Sequence, residues 1–138
     1  MKYFKAYELV DRKTYEALGE DSLRIFPASS LEMLDNLREF FGVPVLLNDW
    51  YTGGRFQWRG FRTINCKEGA SKSQHRFAKA FDCDVRNHTA EEARQKILAN
   101  QENPLLAQIN RIEANVNWLH IDSGDVPTGK QRIYVFKV

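Results

Sequence analysis

Two histidines and two aspartates in this chain stand where strand geometry can bring them together. The stretch FDCDV, residues 81–85, alternates apolar and acidic side chains, and WLHID, residues 118–122, does the same with His120 and Asp122. Successive strand residues face opposite sides of a sheet. Phe81, Cys83 and Val85 therefore point one way, and Ala80, Asp82 and Asp84 the other. In the second stretch Leu119 and Ile121 part in the same way from Trp118, His120 and Asp122. If the two strands are neighbours, Asp82 and His120 share a surface, and His75, just ahead of the first strand, can fold back over it. Two imidazoles and a carboxylate form the donor set of a catalytic zinc site, which takes three protein ligands and keeps a fourth position for water. Zinc lowers the pKa of such a water toward ~7 and polarises a bound carbonyl. The same residues also have a plainer reading, as a solvated loop histidine and the wet face of a strand. His88, beside a helix start at Thr89, reads as a surface residue.

The elements that must position these groups follow from pattern. Lys5 to Leu18 reads as a helix ended by Gly19. Ser29 with Glu32 forms a capping-box pattern, followed by Leu31, Leu34, Leu37, Phe40 and Phe41 at helical spacing until Gly42. Thr89 with Glu92 opens another capped helix running to about Ala99, before Asn103-Pro104. VPVLLNDWY, from Val43, reads as a buried strand running into the glycine-rich loop TGGRFQWRGFR. Further strands are expected at 81–85, 108–113, 118–122 and 132–138. Helices and strands mix without regular βαβ alternation. The expectation is an α+β fold, mainly an antiparallel sheet with helices on one face, over one domain spanning 1–138.

Composition narrows the class of function. With 43% hydrophobic and 28% charged residues the chain is that of an ordinary globular protein. A net charge of +2, carried by scattered Lys and Arg, suggests no nucleic-acid module. Cys66 and Cys83 have no CxxC pairing, which argues against a disulfide framework or an all-cysteine zinc site; Cys83 falls on the apolar strand face. The start, MKYFKAYELVDRK, lacks the apolar core of a signal peptide, and the longest apolar run, Val43 to Leu47, is too short to cross a bilayer. The expectation is cytoplasmic synthesis without a signal peptide, no transmembrane segment, and a monomer.

The decapeptide Ser73-Gln74-His75-Arg76-Phe77-Ala78-Lys79-Ala80-Phe81-Asp82 resembles the SxHxxGxAxD signature of the zinc D-alanyl-D-alanine carboxypeptidase family. That family is grouped with phage endolysins and the hedgehog fold as the LAS metallopeptidases. Trp118-Leu119-His120 resembles its later WxH element, and the likeness extends over about residues 28–125. The resemblance implies a hedgehog or D-Ala-D-Ala-peptidase-like fold with zinc held by His75, Asp82 and His120. It also implies an upstream arginine that binds substrate and steadies an oxyanion. Arg55, Arg59 and Arg62 are available; Arg62 is favoured, with Arg59 next. Ser73 matches the signature serine, which contacts substrate or shapes the turn.

Two positions depart from the pattern. Ala78 replaces the signature glycine, a change tolerated where φ is negative. The acid that many members carry three positions before the last histidine is here Asn117, whose amide cannot accept a proton. Glu113 is the candidate replacement. If residues 114–117 turn a hairpin, it lies opposite Trp118 and one diagonal step from His120, as a base or as a partner orienting that ring; a glutamate salt-bridged at a strand edge is the other reading. Asp122 is a further candidate partner on that face.

The implied activity is zinc-dependent hydrolysis of peptide bonds in peptidoglycan stem peptides. The enzyme would be a D,D-carboxypeptidase or an endopeptidase of phage or prophage origin, acting at the cell wall after holin release or as a virion component. The alternative is a non-catalytic metal-binding or virion structural module that keeps the fold. Asn117 and Ala78 favour that alternative, and the direction in which Glu113 faces separates the two.

Overall fold

In the computed structural model, which describes residues 1–68 and 73–138, Asp11 sets the first true helix. Its carboxylate accepts from Thr14 N at 3.2 Å and Thr14 Oγ1 at 2.6 Å, so α1 runs Arg12–Leu18. The helix expected from Lys5 is thus in two pieces. Ala6–Glu8 forms a single 3₁₀ turn, because Asp11 caps more strongly than the helix can propagate through it. Between the pieces Leu9 and Val10 are fully buried.

The second helix, α2, is Ala28–Phe41 and starts on Pro27 without a side-chain cap. Ser29 and Glu32 lie inside the helix, and the capping box expected of them does not form. The Pro27 carbonyl accepts from Ser30 N and Leu31 N at 3.0 and 3.3 Å, and proline's fixed φ presets the entry. Gly42 ends the helix at φ 69°, the left-handed cap that glycine adopts without a Cβ penalty. At α3, Ala90–Leu98, the capping box forms in both directions: Thr89 Oγ1 accepts from Glu92 N at 3.1 Å, and Thr89 N donates to Glu92 Oε1 at 2.8 Å.

Five strands make one sheet: β1 (Val45–Leu46), β2 (Ala80–Val85), β3 (Arg111–Glu113), β4 (Leu119–Asp122) and β5 (Tyr134–Phe136). Their order is β1-β2-β4-β3-β5, antiparallel throughout except between β3 and β5, which are parallel. The α+β reading holds, with the sheet mixed. β1 is shorter than its apolar run because Asn48 and Trp50 leave the ladder. Asn48 Nδ2 and Trp50 Nε1 both donate to Val10 O, at 3.1 and 2.9 Å, and Asn48 N donates to Glu8 O at 3.2 Å.

One core cluster takes Phe81, Cys83, Val85, Ile112, Leu119 and Ile121 from the sheet and Met33, Leu34, Leu37, Phe41, Ala93 and Ile97 from α2 and α3. With those side chains in the core, strand alternation leaves Asp82 and His120 on the other face of the sheet. The segment before the signature is tied down as an extra backbone layer. Arg59 O accepts from Asp82 N at 2.7 Å, Phe61 N donates to Leu9 O at 2.9 Å, and Arg62 N donates to His75 O at 3.2 Å.

Gly60 is where this segment meets the buried 9–10 backbone. A Cβ built there falls 2.1 Å from Leu9 O, a backbone atom that cannot rotate away. Gly60→Ala is therefore expected to lower stability by about 1–3 kcal/mol, read from the midpoint of urea unfolding. A variant with the wild-type midpoint would show that this contact does not constrain the fold.

Candidate metal centre

The register of β2 against β4 sets Asp82 directly across from His120. Asp82 Oδ1 lies 2.8 Å from His120 Nδ1 and 3.2 Å from His75 Nε2. One donor atom from each of the three residues lies within 4.8 Å of the others, and all three residues are buried. The structure thus brings His75, Asp82 and His120 into one cluster.

Each imidazole is oriented by its other nitrogen. His75 sits in the 3₁₀ turn Gln74–Phe77, opened by Ser73, whose hydroxyl accepts from His75 N at 3.3 Å. Its Nδ1 lies 2.8 Å from Gly60 O. A carbonyl only accepts, so Nδ1 carries the proton and Nε2 presents a lone pair to the cluster. His120 Nε2 lies 2.7 Å from Asp122 Oδ2, which assigns its proton there and turns Nδ1 toward Asp82. A carboxylate or carbonyl behind each metal-ligating imidazole is the usual outer support of zinc sites.

His75 Nε2 provides the test of fit. It is buried and has no hydrogen-bond partner among the described residues: its lone pair faces Asp82 Oδ1 at 3.2 Å, an atom that only accepts. Native proteins rarely leave such an atom unsatisfied. A lone-pair nitrogen beside a carboxylate and a second imidazole nitrogen is a donor set that suits zinc.

Electrostatics hold the cluster together. Burial opposes ionisation of Asp82, yet the hydrogen bond with His120 outweighs it and holds the carboxyl below the ordinary carboxylate range. Burial likewise opposes charge on His120, but Asp122 and Asp82 outweigh it and raise the imidazole to about 9. Asp122, fully buried, is also held low despite its burial, by His120 and Arg111.

The candidate arginines separate. Arg62 donates from Nη2 to Asp82 Oδ2 at 3.0 Å and from Nε to Trp58 O at 2.8 Å, and it lines the cavity over the cluster. Arg59 does not line that cavity. Its Nη1 is paired with Asp84 Oδ2 at 2.7 Å and its guanidinium stacks over Phe56. Arg55 is exposed, also beside the Phe56 ring. Ser73 both shapes the His75 turn and lines the cavity.

Two expectations change. Ala78 has φ 57°, not a negative value. Its left-handed conformation turns the chain so that Lys79 N donates back to Gln74 O at 3.0 Å, and the alanine carries about 1 kcal/mol of strain that glycine would avoid. Glu113 is not opposite Trp118. Ile112 pairs with Ile121, and one further step sets Glu113 across from His120. The hairpin loop is two residues longer than the 114–117 turn, because Asn115 takes φ 63° and Ala114 N bonds Phe136 O at 2.8 Å. Glu113 Oε2 comes within 3.9 Å of His120 Nδ1, with its side chain 14% exposed. Asn117 is exposed and lines a different depression, beside Thr89 and Arg94.

The cavity, about 440 Å³, also takes Trp118, Arg111 and Phe136 into its walls. Arg111 stands two residues before Glu113, so strand alternation alone places it on the same face. Phe136 comes from β5, directly beside Glu113, and no local signal in its sequence marks it. Cys66 and Cys83 are both buried and unpaired with each other, and burial pushes the Cys83 thiol up.

A family model described as Peptidase M15 matches residues 2–122 of the chain. Comparison with curated proteins and with solved structures finds no match.

His75→Ala, Asp82→Ala and His120→Ala are each expected to weaken zinc binding by more than the ~10–100-fold typical of an outer partner. Full zinc stoichiometry in the triple variant would contradict the ligand assignment. Proton linkage gives an independent check. A raised His120 stabilises the metal-stripped fold fully below its unfolded value near 6.5, and that contribution is lost as pH rises through about 9. The proton lost is the second one, on Nδ1 toward Asp82, and zinc would take that nitrogen, so binding at about pH 8 should release it and affinity should rise with pH. Calorimetry in buffers of different ionisation enthalpy measures the release; heats independent of buffer would contradict it.

Proposed function

The chain belongs to the Peptidase M15 family, whose character is zinc D-Ala-D-Ala carboxypeptidase-like, and on that footing we propose that it hydrolyses peptide bonds in peptidoglycan stem peptides. The observation that carries the proposal is Glu113: a carboxylate lining the same cavity as the His75–Asp82–His120 cluster, within 3.9 Å of His120 Nδ1. A zinc ion held by that cluster supplies Lewis-acid polarisation of the scissile carbonyl and a source of acidified water at neutral pH.

The chain's own residues do the rest. Glu113 accepts a proton from the attacking water at Oε2 and returns it to the leaving amine, the general acid–base role. Arg62 is held in place by Asp82 and Trp58 O, and its Nη1 has no partner among the described residues. That donor suits the developing oxyanion or a terminal carboxylate of the stem peptide. Phe136 and Trp118 supply apolar wall, which keeps bulk water from these charges and strengthens them. A guanidinium in the cavity favours the D,D-carboxypeptidase form of the reaction, with the endopeptidase form open to longer peptides. On this reading the protein is of phage or prophage origin and works at the cell wall, after holin release or with a virion.

A non-catalytic virion module with the same fold is the second reading, and Asn117 at the position of the family's acid is the observation that favours it. Glu113→Gln separates the two. It is expected to keep zinc and to lose about 10²–10⁴-fold in hydrolysis, followed by mass spectrometry of fragments released from purified sacculi. Unchanged hydrolysis in the variant would place the base elsewhere. A zinc-loaded wild-type chain that releases nothing would favour the structural module.

A further inference from the structure

We propose that Arg111 is a positioning residue for the metal centre, acting through Asp122 to fix which imidazole nitrogen of His120 faces His75 and Asp82. The proposal rests on the metal-centre reading and adds to it a device in β3 that touches none of the three ligands.

Asp122 is completely buried, and its two oxygens have four donors. Arg111 Nε and Gly124 N reach Oδ1 at 2.7 and 2.9 Å, while Arg111 Nη2 and His120 Nε2 reach Oδ2 at 3.0 and 2.7 Å. That fills the accepting capacity of a carboxylate. The two-pronged arginine contact fixes the carboxylate plane, and so fixes where Oδ2 points. Lysine has no such fork. The register supplies the alignment, since Arg111 and Asp122 are paired directly across β3 and β4.

Arg111 reaches the same ring by an apolar route. Its guanidinium lies 4.5 Å over Phe136, and Phe136 stands edge-on to His120 with centroids 5.6 Å apart at 87°. Rotation of His120 about χ2 would exchange Nδ1 for a carbon at the cluster. Oδ2 and Phe136 oppose that rotation, and Arg111 contacts both. The arrangement has no slack: a Cβ on Gly124 would sit 3.0 Å from Asp122 Oδ1 and 3.1 Å from Arg111 Nε. Pairing with Asp122 has a second effect. It occupies the Arg111 guanidinium, which otherwise stands two residues from Glu113 on one wall and would compete for that carboxylate.

The test compares wild type with R111M, R111K, D122N and R111M/D122N, using zinc affinity by chelator competition and ¹⁵N NMR of histidine-labelled, zinc-loaded protein. R111M and D122N are each expected to weaken zinc by about 10–100-fold. R111K should recover only part of the loss. The double variant should lose no more than the weaker single, because both act on one pathway. The wild-type spectrum should show His120 protonated at Nε2 and metal-bound at Nδ1, and R111M should lose that single pattern. Should R111M fail to fold, R111K and D122N carry the same comparison. Wild-type affinity and spectrum in R111M, or additive losses in the double variant, would overturn the proposal alone. A wild-type chain that takes no zinc would overturn it together with the peptidase reading.

Discussion

A buried carboxylate set across a strand pair from a histidine organises this molecule. Asp82 is 5% exposed, and a charge removed from water to that degree must be matched by partners or it destabilises the fold. The partners are His120 from β4 and Arg62 from the segment laid over β2, while His75, from the turn before β2, faces the same carboxylate with its lone pair. Each is itself anchored, by Asp122, by Trp58 O and by Gly60 O. A one-residue slip of β2 against β4 would drive Asp82 into the core, away from His120, and turn Cys83 outward. Packing of the apolar face therefore fixes the geometry of the chemical one.

The anchors explain why the cluster suits a cation. His75 Nε2 and His120 Nδ1 point inward because their opposite nitrogens are occupied, and Asp82 offers its Oδ1 to both. Its Oδ2 holds Arg62 in the wall of the cavity, so one carboxylate faces both imidazoles and a guanidinium. Glu113 and Arg111 alternate along β3 with opposite charges and different partners. Glu113 stands beside His120 and is open to the cavity, while Arg111 is spent on Asp122. Membership of the Peptidase M15 family, which is zinc-dependent, agrees with a metal at the His75–Asp82–His120 cluster.

Local patterns carried much of this into the sequence, and long-range contacts took some of it away. The alternation in residues 81–85 and 118–122 placed Asp82, Cys83, His120 and Ile121 on the faces they occupy, since strand period is a property of the backbone alone. The Thr89–Glu92 box formed because both of its hydrogen bonds are local, between residues three apart. Ser29–Glu32 did not, because Pro27 starts the helix earlier, and Lys5–Leu18 broke where Asp11 found Thr14. Glu113 was found on the right face but two residues out of register, since loop length depends on the Ala114–Phe136 bond to a strand more than twenty residues away. The left-handed Ala78 could not be read at all, because the residue type argues against the conformation the turn needs. Arg111 was readable from its spacing to Glu113, whereas Phe136 and the Gly60 carbonyl enter only through tertiary contact.

X-ray absorption at the zinc edge of the metal-loaded protein tests the central assignment most directly. The account predicts a nitrogen and oxygen shell at ~2.0–2.2 Å with outer scattering from two imidazoles and no sulfur. A sulfur shell at ~2.3 Å, drawn from Cys66 or Cys83, or scattering from fewer than two imidazoles, would contradict it.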